Sequence, residues 1–181
     1  MIVSPPEQDE NMTKKIAVIS TGGTIEKTYD SLEGVLINRV SVLDVMLAQL
    51  ELRGVEVVRV PLMNKDSLDM VQLDHDLISR TAAAMSMTHD GVVVVHGTDR
   101  LQDTGETACA SIPEPRVPIV LTGAMRPWEL RSTDALQNVT EALLAVQLLP
   151  PGIYVSMHNQ VLSFPGVVKD KKNGCFIKPT R

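Results

Sequence analysis

The run Gly91-Val-Val-Val-Val-His96 constrains this chain most. Four valines in a row leave no polar face for water. A strand with one wet face alternates apolar and polar residues, so a continuous β-branched run fits a central strand covered on both faces, as in a parallel sheet. Parallel neighbours need crossover connections, which are usually helices. The rest of the chain supplies both. Lys15–Ser20, Val55–Val60, Val117–Leu121 and Ile153–Met157 read as further strands, the second ending at Pro61. Val42–Leu52 has helical spacing, with Val42, Val45, Met46 and Leu50 on one face and Gly54 as the stop. Val71–Met87 reads as a helix with Leu73, Leu77, Ile78, Ala84 and Met85 turned inward. Thr104–Ile112 and Asp134–Leu148 are two more, stopped by Pro113 and by Pro150-Pro151. The alternation predicts an α/β fold: a doubly wound, mostly parallel sheet with helices on both faces, ending in a short β-hairpin. Val161–Phe164 and Cys175–Ile177 read as the strands of that hairpin, with Lys169–Lys172 as a basic loop between them.

Composition narrows the function classes. The chain has 181 residues, of which 44% are apolar and 22% charged. One domain of that length buries roughly 70% of its unfolded surface and needs no metal or disulfide to hold it together. The first 14 residues, acidic and Pro-containing, read as a flexible tail with Met12 as an alternative start, and residues 15–181 read as the domain. A net charge of −5 and 3% aromatic residues argue against nucleic acid and anionic membrane as partners. No run approaches the ~18 apolar residues of a membrane span. Cys109 and Cys175 sit in no metal-ligand spacing, and the N-terminus carries neither the basic nor the apolar region of an export signal. Cytoplasmic localisation is the expectation.

Ligands of an open α/β sheet bind outside the carboxyl ends of the strands. The residues there are Thr21-Gly22-Gly23-Thr24, Asp66-Ser67-Leu68-Asp69, Gly97-Thr98-Asp99 and Thr122-Gly123-Ala124-Met125-Arg126. They are glycines, hydroxyls and carboxylates, without a helix-opening GxGxxG or GxxxxGK[ST]. An alcohol attacks a carbonyl only when a base takes its proton. His96 ends an apolar strand and reads as a hydrogen-bonded core imidazole, which leaves Tyr29 and Lys169 as candidate bases. Arg126 reads as pairing with a carboxylate to hold the fourth loop.

TGGTI at Thr21–Ile25, HGTD at His96–Asp99 and TGAMRP at Thr122–Pro127 resemble the bacterial-type L-asparaginases, and the resemblance runs from about Lys15 to about Phe176. It implies hydrolysis of the side-chain amide of L-asparagine to L-aspartate and ammonia through a threonine acyl-enzyme, with no cofactor and no metal. By the same resemblance Thr24 matches the nucleophile. Tyr29 matches a mobile tyrosine on a loop, Glu26–Gly34, that closes over substrate. Thr98, Lys169 and Asp99 match a Thr–Lys–Asp relay. Ser67 matches the residue that holds the substrate α-carboxylate, and Asp99 the one that meets the α-ammonium. Backbone N–H groups near Gly23 and Thr98 would hold the oxyanion.

The chain departs from the family pattern at Leu68, where many members carry a glutamine, so a polar contact to substrate is expected to be lost. Arg100, Gln102 and Asp103 replace the usual threonine and glutamates. The chain also ends at Arg181, before the family's smaller C-terminal domain, and reads as a short single-domain form with a more open pocket and a raised KM. Homo-oligomers, dimers or tetramers, are expected. Two other readings are a non-catalytic amino-acid-binding module of the same fold and the amidase component of a tRNA-dependent amidotransferase.

Overall fold

The computed structural model describes residues 13–39 and 41–179. The tail reading therefore falls almost wholly outside the described residues. Where it meets them, the first strand already begins at Lys14. Strands β1 (Lys14–Gly22), β2 (Thr28–Asp30) and β3 (Val35–Ile37) are followed by α1 (Leu43–Leu47), β4 (Val55–Lys65), α2 (Gln72–Ser86) and β5 (Gly91–Val95). Then come α3 (Leu101–Ser111), β6 (Pro118–Thr122), α4 (Ala135–Leu148), β7 (Gly152–Met157), β8 (Gln160–Ser163), β9 (Val168–Asp170) and β10 (Cys175–Ile177).

Six strands form one sheet in the order β4-β1-β5-β6-β7-β8, parallel except for the antiparallel β7–β8 pair. The valine run of β5 lies at its centre, and every residue of it is buried. Alternate residues of each central strand feed opposite faces. Ala17, Ile19, Val92, Val94, Ile119 and Leu121 pack with Ile78 and Ala82 of α2 and Ala108 of α3. Ile16, Val18, Val93, Val95 and Val120 pack with Leu43 and Met46 of α1 and Ala135, Val139 and Val146 of α4. Helices therefore cover both faces, and the doubly wound architecture follows.

The chain runs from β1 outward to β4 and then returns to β5 on the other side of β1. The order reverses between β1 and β5, and a crevice opens at the carboxyl ends of two strands that diverge in this way.

Local expectations needed four corrections. Strand β4 does not stop before Pro61 but continues to Lys65. It is an edge strand, so the missing N–H of Pro61 costs no ladder bond. Helix α1 ends at Leu47 and tightens into i→i+3 bonds, Gln49 N–H to Met46 and Leu50 N–H to Leu47, with Leu43 and Met46 inward and Val45 exposed. On α2, Ile78 is buried and Met85 packs on the core, but Leu73, Leu77 and Ala84 face solvent. Its buried face carries His75, Ser79 and Ser86: His75 Nδ1 lies 2.7 Å from the Thr104 hydroxyl while its Nε2 is buried without a partner among the described residues, and the two serines bond carbonyls of their own helix.

The fourth correction concerns the C-terminal strands. The segments near 161–164 and 175–177 do not pair with each other. Strand β8 returns along β7, joined through a turn with His158 and Asn159 at φ 54° and 60°. Strand β10 pairs with β9, Phe176 opposite Lys169, so Lys169 is a strand residue and not part of a loop.

Candidate functional site

Glycines bring the strand ends together at the crevice. Gly23 has φ 81°, and a Cβ there would lie 2.3 Å from the Gly97 Cα. A Cβ on Gly97 would lie 2.5 Å from the Ser67 Oγ, and one on Gly123 2.3 Å from the His96 carbonyl oxygen. No side chain fits at these three positions, so the ends of β1, β4, β5 and β6 come into close contact. The register shift of β1 against β4, from Ser20↔Pro61 to Gly22↔Lys65, lets Gly23 N–H reach the Lys65 carbonyl at 2.9 Å. Thr21 seals the crevice floor by donating its hydroxyl to the Val95 carbonyl at 2.9 Å.

Thr24 opens a 3-10 turn, Thr24–Glu26, directly after Gly23 and is half-buried. Thr98 follows β5, so the two threonines leave neighbouring parallel strands at the same edge of the sheet, with Gly23 against Gly97 between them. Lys169 reaches in from β9. Its Nζ donates to the Thr98 Oγ1 and to the Asp99 Oδ1, each at 2.8 Å, and its side chain is only 11% exposed. Gln102 holds the backbone of β9 in place by accepting from the Lys169 N–H at 2.8 Å. Asp99 does not cap α3, whose N-cap is Arg100; its carboxylate faces the lysine. The structure thus brings Thr98, Asp99 and Lys169 together.

Ser67 is buried in a 3-10 turn, Ser67–Asp69, against Gly97. Asp66 caps that turn by accepting from Leu68 N–H at 3.0 Å and pairs with Lys27 at 2.6 Å. Burial opposes ionisation of Asp66, but the bonds from Lys27 and Leu68 N–H outweigh it, and its pKa lies below the ordinary value. Leu68 itself is exposed. Tyr29 lies on the β2–β3 hairpin with 58% of its surface exposed, and its side chain makes no hydrogen bond to Thr98 or Lys169. The segment read as a loop is largely this hairpin, its backbone held at Tyr29 N–H by the Glu129 carboxylate.

Several supporting residues were not legible from the sequence. Glu26 is buried beneath the first loop, accepting from the Gly22 N–H at 3.2 Å and from the Ser41 hydroxyl; burial pushes its carboxyl up despite these donors and Arg59. Asn38 donates to the Gly23 carbonyl at 2.8 Å. The fourth loop is held by Asp134 and not by Arg126, whose side chain is exposed: Asp134 accepts from the N–H groups of Met125 and Arg126, both at 2.9 Å, from Asn138 at 2.9 Å and from His158 at 2.7 Å. Burial raises the pKa of the Asp134 carboxyl, but the bonds from Met125, His158 and Arg126 together outweigh it, and the net direction is down. The only signal in the sequence was a carboxylate and an amide one helical turn apart at the start of α4, a pattern equally common on wet surfaces. Among the described residues no cluster of three His, Cys, Asp or Glu side chains is placed to hold a metal ion, and no helix is long and apolar enough to cross a membrane.

Known proteins share this architecture. The family model described as "Asparaginase, N-terminal" matches residues 15–175. The L-asparaginase of Thermococcus kodakarensis is 32% identical over 152 residues, covering 82% of this chain and 45% of that protein. A glutamyl-tRNA(Gln) amidotransferase subunit of Methanococcus vannielii is 29% identical over 158 residues, covering 86% of this chain and 36% of that one. Among solved structures, the T. kodakarensis L-asparaginase superimposes with a TM-score of 0.80 at 28% identity over 91% of this chain and 51% of its own. A probable cytoplasmic L-asparaginase from Campylobacter jejuni gives 0.79 at 28% identity over 92% and 53%. The chain therefore spans about half the length, or less, of the relatives it matches. With a family match over almost all of its length and a relative above 30% identity, this chain belongs to the asparaginase family and carries that family's N-terminal domain.

Proposed function

We propose that this chain is an amidohydrolase that releases ammonia from L-asparagine, leaving L-aspartate, through a threonine acyl-enzyme. The observation that carries the reading is Lys169 Nζ at 2.8 Å from both Thr98 Oγ1 and Asp99 Oδ1, at the point where the strand order reverses. A hydroxyl, an amine and an orienting carboxylate within hydrogen-bond reach of one another form a relay that can carry a proton away from an attacking alcohol.

In this reading Asp99 meets the substrate α-ammonium, while Ser67 and the glycine N–H groups hold its α-carboxylate. Thr24 attacks the side-chain amide carbon, and its proton passes to Tyr29 or, through Thr98, to Lys169, which must enter the step neutral. The N–H groups near Gly23 and Thr98 hold the developing oxyanion. The C–N bond breaks, the amine takes up a proton and leaves as ammonia, and water hydrolyses the β-aspartyl ester to free Thr24. Tyr29 is brought to the nucleophile by movement of the β2–β3 hairpin. We include a cytoplasmic location and self-association in this reading; cell fractionation and sedimentation velocity test those two parts.

The test is ammonia release from L-asparagine by the purified chain, compared with Thr24→Ala and Lys169→Met. We expect each substitution to lower kcat by about 10³-fold or more, as the loss of one member of a nucleophile–base unit does. Release unaffected by both substitutions overturns the mechanism. No release by the unsubstituted chain, with L-aspartate still bound, favours the amino-acid-binding module. The amidotransferase relative supports a second reading, an amidase that feeds ammonia to a tRNA-dependent amidotransferase; release that appears only with glutamine and a partner protein favours it.

A further inference from the structure

We propose that His96 is a positioning residue: through the Gly97 carbonyl it fixes the Gly97–Thr98 peptide so that the Thr98 N–H faces the crevice as an oxyanion donor. The proposal rests on the hydrolase reading above and adds to it a residue that touches no substrate.

The proton positions follow from the partners. His96 Nδ1 lies 2.7 Å from the Gly97 carbonyl oxygen, which can only accept, so Nδ1 carries the hydrogen. The ring is fully buried, and burial pushes its pKa down to about 4, so it is neutral at physiological pH. Its Nε2 is then an acceptor and takes the hydroxyl proton of Thr104, 2.8 Å away on α3. Having donated its one proton, Thr104 accepts from His75 Nδ1 on α2, at 2.7 Å. The direction of every bond from α2 to the end of β5 is thus determined.

A trans peptide points its C=O and N–H in opposite directions. With the Gly97 carbonyl turned inward onto His96, the Thr98 N–H turns away from the core, and among the described residues no backbone or side-chain acceptor takes it. Gly97 must be glycine because Ser67 and Gly23 leave no room for a Cβ. Glycine is also the residue whose flanking peptides rotate most freely. A donor that must be preorganised therefore sits beside the residue least able to hold it, and the His75–Thr104–His96 chain supplies the missing rigidity.

The test combines kinetics with nitrogen NMR. His96→Leu fills the site but cannot hold the carbonyl; His96→Asn keeps an N–H donor near the position of Nδ1. We expect His96→Leu to lower kcat about 100-fold, the typical loss of one oxyanion donor, with KM within about threefold, and His96→Asn to recover about tenfold of that. A folded His96→Leu protein with unchanged kcat overturns the proposal. If His96→Leu does not fold, Thr104→Val against Thr104→Ser carries the test, the first lowering kcat and the second restoring it; equal kcat in both overturns the proposal. The imidazole 15N shifts of the unsubstituted protein need no activity: a neutral Nδ1–H tautomer supports the proposal, and an Nε2–H tautomer overturns it. If the unsubstituted chain releases no ammonia, the hydrolase reading fails, and the tautomer with the Thr98 amide shift on titrating L-aspartate decides this proposal alone. A shift supports it, and its absence overturns it.

Discussion

At the scale of the residue, the site is built from side chains whose meaning depends on what they face. Lys169 and Lys171 are near neighbours in a basic stretch, yet only Lys169 is held inside. It is the middle residue of β9, paired with Phe176, which anchors the hairpin on the core; Lys171 already lies in the turn and is exposed. Asp134 is similar. In the sequence it is an aspartate before a helix; in the structure it gathers four donors and holds the loop that follows Gly123. Its lowered pKa means that the folded protein favours the ionised form. That stability is fully present above the ordinary value of 3.8 and is lost as pH falls through the lower folded value. We expect Asp134→Asn to cost about 1–3 kcal/mol in urea unfolding at pH 7, with the gap to the unsubstituted protein narrowing below pH 3.8. A gap that widens in acid contradicts this.

At the scale of the element, two hairpins share one design. Asp30-Ser-Leu-Glu-Gly34 and Asp170-Lys-Lys-Asn-Gly174 each join short strands. In both, the aspartate side chain accepts from the N–H groups two and three residues on, and the glycine, at φ 70° or 62°, donates its N–H to the aspartate carbonyl. Tyr29 and Lys169 occupy the same place in the two, immediately before the aspartate. In the sequence both segments read only as loops, because the flanking three-residue strands are too short for their periodicity to stand out. The glycine contacts at the crevice were half legible. A Gly-Gly after a strand announces a tight approach, but not what it approaches. Gly23→Ala meets both a left-handed φ and the Gly97 backbone. We expect it to lower stability by about 2 kcal/mol or more and to abolish activity. A folded, fully active Gly23→Ala protein, by thermal melt and ammonia release, contradicts the close-packed crevice.

At the scale of the whole molecule, the buried histidines couple folding to pH. Burial lowers the pKa of both His96 and His75. Above the ordinary value of 6.5 neither folded nor unfolded chain binds the proton, and stability is complete. As pH falls from 6.5 toward about 4, the unfolded chain takes protons that the folded one refuses, and stability declines. For His96 alone the full decline is worth about 3 kcal/mol. Glu26, with its raised pKa, acts in the opposite direction, so the informative quantity is a difference between proteins. We expect the loss of stability between about pH 7 and pH 5 to be smaller in His96→Asn than in the unsubstituted chain, and equal losses contradict a buried neutral His96. By itself the sequence determined the layered α/β architecture and the motifs at the strand ends, because hydrophobic periodicity, turn residues and the requirement to bury a valine run act over short stretches of chain. Only the tertiary structure decided which face of α2 turned inward, which strands Val161–Ser163 and Cys175–Ile177 joined, and that Lys169 met Thr98 and Asp99. Those outcomes depend on hydrogen-bond partners and packing surfaces contributed by distant residues, 71 positions apart for Lys169 and Thr98, and no local pattern encodes them.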